Sequence, residues 1–172
     1  MIHILIAAVV FGCDQLLKYW TVNNIPYGEA REFLPGLLTL RHEHNTGAAL
    51  SMMNEHTWML TAVSAALSII LLVMILRKGF TFREKLCLGM VLGGAVGNGI
   101  DRLLHGYVVD MFIFDFFPVF VFNLADAFID VGAILFAIFY LVRTAKEDKL
   151  RSGPMPELER LKKGPEDTEG EN

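Results

Sequence analysis

The segment TWMLTAVSAALSIILLVMIL, residues 57–76, constrains this chain more than any other stretch, because nowhere in it does an ionisable side chain occur. A helix of that length, rising about 1.5 Å per residue, matches the roughly 30 Å hydrocarbon core of a bilayer. Three more apolar stretches, at about 1–20, 86–105 and 119–142, have comparable length. At 53% hydrophobic residues, the chain is too apolar for a typical soluble domain. These features predict an all-α polytopic membrane protein with four transmembrane helices.

Loop charge predicts the orientation. Arg77, Lys78, Arg83 and Lys85 follow the second span, and Arg143, Lys146, Lys149 and Arg151 follow the fourth. Lys and Arg favour the cytoplasmic side, so both termini are expected there, with 21–56 and 103–118 facing outward. Short alternating pieces such as LLTLRHEHN (37–45) predict a few strands, giving a small extracytoplasmic β-rich segment at about 21–56. From Thr144 the chain turns polar, with Pro154, Pro156, Pro165 and an acidic end. Residues 144–172 therefore read as a disordered cytoplasmic tail, with one short helix near 157–163, leaving a membrane domain at 1–143.

Several function classes are excluded or disfavoured. No basic run interleaved with aromatics points to nucleic acid. The two cysteines, Cys13 and Cys87, lie in apolar stretches without metal-ligand or disulfide spacing. VFGC (10–13) lacks a preceding basic region and continues into helix-compatible sequence, so the first span reads as an uncleaved anchor. HEH (42–44) has no third ligand candidate nearby and reads as exposed strand or loop. No metal and no cofactor is expected.

The polar residues inside the spans need a reason, since ionisable groups in lipid cost several kcal/mol unless paired or hydrated. Asp14 and Lys18 are four residues apart and share a helix face. Gly89, Gly93 and Gly97 form a stripe that admits a neighbouring helix. Asn98, Asp101 and Arg102 cluster on nearly one face of the third helix, and Asn123, Asp126 and Asp130 on one face of the fourth. Asp110 follows Gly106, where the third helix is expected to end, and a short return loop lets it meet Asp126. Two carboxylates in contact share a proton near neutral pH. Such a pair serves an aspartyl hydrolase, one acid acting as base and its partner as proton donor. It serves a small proton-coupled transporter equally well, and spacing alone leaves both open.

GNGIDR (97–102), GYVVDM (106–111) and FNLADAFI (122–129), with DQLLK (14–18) and NTGAAL (45–50), stand in the order found in bacterial lipoprotein signal peptidases, and the chain resembles that family over about 10–135. The resemblance implies an intramembrane aspartic endopeptidase that removes the signal peptide from diacylglyceryl-modified prolipoproteins, cutting before the lipidated Cys. It implies a catalytic pair at Asp110 and Asp126. Asn45, Gly47, Asn98, Asp101, Arg102, Asn123, Asp14 and Lys18 would support the site or bind substrate. It also implies contact with membrane lipids and residence in the bacterial cytoplasmic (inner) membrane, with the site near the outer face, and the helix pattern is compatible with a monomer. A small sheet followed by a surface helix is expected within 21–56. Met111 and Leu50 depart from the family pattern by apolar exchange, and Asp130 is an acid that the pattern does not require. Asp115 is expected on the wet side of a hydrophobic loop at 111–121, which together with 51–58 would cover the site.

Overall fold

The computed structural model describes residues 1–47 and 57–151. Along the chain run α1 (Ile2–Asn24), β1 (Ala30–Leu34), β2 (Leu38–Asn45), α2 (Thr57–Leu76), α3 (Phe82–His105), β3 (Val108–Phe114), β4 (Phe117–Phe122) and α4 (Leu124–Arg151). By internal contacts the chain divides within α4, into Met1–Ile138 and Phe139–Asn172. The first unit holds every other element and all the residues considered below. The second is described as the end of α4, where Arg143 pairs with Glu147 at 3.5 Å.

Among the described residues, α1, α2 and α4 are long and apolar enough to cross a membrane. The expected third span, α3, does not meet that criterion. Its glycines and its polar Glu84, Asn98 and Asp101 dilute the apolar content, and these residues are buried against protein. Its start at Phe82, earlier than the expected 86, follows from a capping box. The Glu84 amide donates to Thr81 Oγ1 at 3.3 Å, and the Thr81 amide donates to Glu84 Oε2 at 2.7 Å. Ala7, Leu71, Ile75, Leu88, Val91, Leu92 and Ala95 form the apolar core.

The glycine stripe sets how closely the helices approach. A Cβ on Gly89 would collide with the His3 carbonyl oxygen, and one on Gly93 would come within 2.5 Å of the Ala7 carbonyl oxygen. Gly94, on the adjoining face, would meet the Ala125 carbonyl oxygen at 2.5 Å. α3 thus packs backbone to backbone against α1 on one side and α4 on the other.

The strands correct the expected organisation. They form one antiparallel sheet in the order β1-β2-β3-β4, and half of it comes from 108–122 rather than from 21–56. The stretch read as a hydrophobic loop, and the first residues assigned to the fourth span, are therefore strand. Alternating β-branched and aromatic residues in VVDMFIF and FPVFVF suit a pleated surface. Pro118 lies on the outermost strand, where its missing N–H breaks no central ladder. Asp115, in the β3–β4 turn, accepts from Thr39 Oγ1 at 2.7 Å, and its amide donates to the Leu37 carbonyl at 3.1 Å, tying the two hairpins together. His42 and His44 lie on β2 as expected of a strand, but neither is exposed: His42 is only 5% accessible and His44 is half-buried. Beyond Val142, the expected fourth-span limit, α4 continues helically to Arg151, so the tail does not begin at 144. The surface helix expected in 48–56, the cover at 51–58 and the short helix near 157–163 lie wholly or mostly outside the described residues.

Candidate active site

α3 ends at Gly106, whose φ of 80° is the left-handed conformation that glycine adopts without strain. Its amide closes on the Arg102 carbonyl at 3.0 Å, and the chain turns back as β3. That return carries Asp110 into the interior beside the start of α4, where Asp126 sits in the first turn.

Asn123 joins the two acids. It precedes α4 rather than lying on it, as its spacing had suggested, and it caps the helix. Asn123 Oδ1 accepts from the Asp126 amide at 2.9 Å, and the Asn123 amide donates to Asp126 Oδ2 at 3.2 Å. This reciprocal closure is a capping box built from Asn and Asp. The Asn123 side-chain amide donates onward to Asp110 Oδ1 at 2.6 Å. Asn45, at the end of β2, donates to Asp110 Oδ2 at 2.8 Å. Asn98 donates from Nδ2 to Asp126 Oδ1 at 2.7 Å. Each carboxylate is therefore held through both oxygens by groups that can only donate to it.

Behind this pair lies a buried ionic cluster. Lys18 Nζ contacts Asp14 Oδ2 and Asp101 Oδ2, both at 2.7 Å, and donates to Asn98 Oδ1 at 2.9 Å. That last bond fixes the Asn98 amide with its NH₂ toward Asp126. Asp14 Oδ1 also accepts from the Ala125 amide at 2.9 Å, so a carboxylate on α1 satisfies a free N–H in the first turn of α4. Gly97 makes room for this, since a Cβ there would lie 2.9 Å from Asp14 Oδ2. Breaking a buried pair of this kind costs about 3–5 kcal/mol because it strands a charge.

Asn98, Asp101 and Arg102, grouped on one face by their spacing, take different partners. Asp101 turns to Lys18, while Arg102 Nη2 donates to the Gly47 carbonyl at 3.1 Å. The Gly47 amide donates to Asn45 Oδ1 at 3.0 Å, which orients the Asn45 NH₂ toward Asp110. All the site residues expected from sequence thus meet in one network, whereas Asp130 is exposed on α4. Gln15 was missed: its Nε2 donates to Asp101 Oδ1 at 2.9 Å. The signal was available in DQLLK, where it follows Asp14.

Burial, followed by the nearby Asp126 carboxylate, pushes the Asp110 carboxyl up from the usual 3.8 to about 7. Near neutral pH the pair therefore carries a proton on Asp110 part of the time. A buried pair of acids that shares a proton near neutral pH can perform general acid–base chemistry, or pass protons.

The site sits where α3 ends and α4 begins, and comparison with known proteins gives its class, a membrane enzyme. Two solved bacterial membrane enzymes, determined by the in meso method, share the fold. One superposes with a TM-score of 0.78 at 29% identity, covering 84% of this chain and 90% of its own. The other gives 0.74 at 30%, covering 81% and 92%. The lipoprotein signal peptidase of Enterococcus faecalis is 40% identical over 154 residues, 87% of this chain and 94% of the relative. That of Streptococcus pyogenes is 33% identical over 138 residues, 80% and 91% of the two chains. Residues 6–142 match the family described as Signal peptidase (SPase) II, and the chain belongs to that family. Membership decides between the two readings that spacing left open, in favour of a peptidase.

Proposed function

We propose that this chain is an aspartic endopeptidase that cuts the signal peptide from diacylglyceryl-modified prolipoproteins, immediately before the lipidated Cys. The observation that carries the reading is the pair Asp110 and Asp126, bound to opposite sides of one Asn123 side chain. Asp126 sits in the first turn of α4, where the helix dipole and the Asn123 amide favour its carboxylate. Asp110, raised to about 7, holds the proton. Asp126 takes a proton from water as the water oxygen bonds to the scissile carbonyl carbon. Asp110 gives its proton to the carbonyl oxygen, which avoids an uncompensated oxyanion. As the tetrahedral intermediate collapses, the C–N bond breaks and the proton on Asp126 passes to the leaving amine. Asp110 recovers its proton from the hydroxyl that becomes the new carbonyl.

The same reading places the protein in the bacterial cytoplasmic membrane, as a monomer spanning it four times. α3 is the shielded span, surrounded by α1, α2 and α4. Both termini are cytoplasmic and the dyad lies near the extracytoplasmic face, so water reaches it without crossing hydrocarbon. Arg77 and Lys78 between α2 and α3, with Arg83 and Lys85 at the start of α3, support that orientation. The substrate's signal helix and acyl chains stay in lipid.

Purified full-length protein in bilayers, offered a diacylglyceryl-modified precursor and its unmodified counterpart, tests the substrate. Mass spectrometry should find a new N-terminus at the lipidated Cys in the first case only. Equal cleavage of the unmodified precursor would rule out the proposed specificity.

A further inference from the structure

The network at Asp110 leaves the histidines of HEH unused, and their geometry is specific. His42 Nε2 and His44 Nε2 face one another at 3.2 Å. Two nitrogens bound to one tetrahedral Zn²⁺ at about 2.0–2.1 Å lie roughly 3.3 Å apart. His42 Nδ1 is 2.8 Å from the Ile25 carbonyl, so it carries the hydrogen and Nε2 presents its lone pair. A metal-binding imidazole is commonly oriented this way, its second nitrogen donating to a backbone carbonyl.

The rings are also held in place. His44 stacks on Tyr107 with centroids 3.7 Å apart, and Tyr27 covers it from another side at 4.6 Å. Tyr27 meets His42 edge-on at 5.8 Å. The main chain of His42 is pinned by its amide to the Glu29 carbonyl at 3.2 Å, and its carbonyl accepts from the Gly28 amide at 2.9 Å. Glu43 is engaged with Arg41 at 2.9 Å.

We propose that His42 and His44 form a two-histidine site for a borderline divalent cation of the Zn²⁺ class, its remaining positions filled by water. Without an ion, the same two nitrogens share one hydrogen, His44 donating to His42, and the ion replaces that hydrogen bond. Among the described residues no three His, Cys, Asp or Glu side chains converge, so the site is open rather than a closed structural one. It lies on β2 next to Asn45, whose amide holds Asp110. Occupancy therefore restrains the strand that positions one acid of the dyad. Metal binding at these two histidines is measured without substrate and is independent of peptidase activity.

The test is Zn²⁺ titration calorimetry on the full-length protein in detergent, free of any histidine tag. His44→Phe keeps the aromatic stack but removes the nitrogen. His42→Asn keeps a donor for Ile25 but removes Nε2. One Zn²⁺ per chain is expected, weakened about 100-fold or more by either substitution and unchanged by His105→Ala. X-ray absorption at the zinc edge of the unaltered protein should show imidazole scattering, whatever the variants' folding. Absence of binding, binding indifferent to both substitutions, or a zinc shell without imidazole would each overturn the proposal.

Discussion

Asn123 and Asp126 cap one another: the side chain of each accepts from the main-chain amide of the other, at 2.9 and 3.2 Å. The same Asn123 side chain also donates to Asp110 at 2.6 Å. One residue thus starts α4 and positions both acids. Asn123→Ser retains a good N-cap but leaves the buried Asp110 oxygen short of a donor, so stability should fall by about 1–3 kcal/mol. Serine cannot span to Asp110, and kcat should fall roughly 10- to 100-fold, the value of a hydrogen bond to a charged group. Thermal unfolding and single-turnover cleavage on the same preparation check both halves.

Lys18 is the cation shared by Asp14 and Asp101, both at 2.7 Å. Lys18→Met keeps most of its volume and leaves two buried carboxylates without their countercharge. Stability should drop by about 3–5 kcal/mol, read as a lower melting temperature in detergent. Any variant that remains folded should also cleave more slowly, because Lys18 no longer fixes the Asn98 amide that holds Asp126.

Two glycines in helices should respond in opposite ways to alanine. Gly97→Ala places a methyl 2.9 Å from Asp14 Oδ2 and should destabilise by about 1–3 kcal/mol. A Cβ on Gly12, in the middle of α1, would meet nothing within 4 Å, and Gly12→Ala should stabilise by roughly 0.5–1 kcal/mol. Melting curves of the two variants decide.

The Asp110 carboxyl, raised to about 7, gives the pH dependence a sign. Below that value Asp110 keeps the proton required by the carbonyl oxygen; above it the proton is lost and both acids are ionised. Cleavage should therefore decline on the alkaline side, with an apparent midpoint near 7 that belongs to the coupled pair. A kcat profile that stays flat between about pH 6 and 9 would contradict the assignment of Asp110 as donor; that range brackets the midpoint by about one to two units.

The second span was legible as a helix, because a mostly apolar run of twenty residues without a charge, closed by Arg77 and Lys78, leaves little choice. The polar clusters were legible as well, since charges inside apolar helices must find partners. The sheet was not. VVDMFIF and FPVFVF are short apolar runs, and periodicity alone does not separate a strand from a buried helical turn. Their pairing partner β2 lies far away in sequence, and its register shifts between Leu40 and Glu43. The cap at Asn123 was hidden for a related reason. Asn, Asp and the following acid at helical spacing look like a helix face, whereas N-L-A-D also reads as an N-terminal capping box. Extending the helix into 119–123 concealed the position where the chain changes direction.

The most direct test of the central claim is cleavage of a diacylglyceryl-modified precursor by Asp110→Asn and Asp126→Asn, prepared separately in bilayers. Each substitution preserves side-chain size and removes one acid of the pair. Either one alone should reduce kcat by roughly 100- to 10,000-fold, the range for loss of a positioned acid or base, with the fold intact. A folded variant that cleaves at the unaltered rate would show that its aspartate is not part of the catalytic pair.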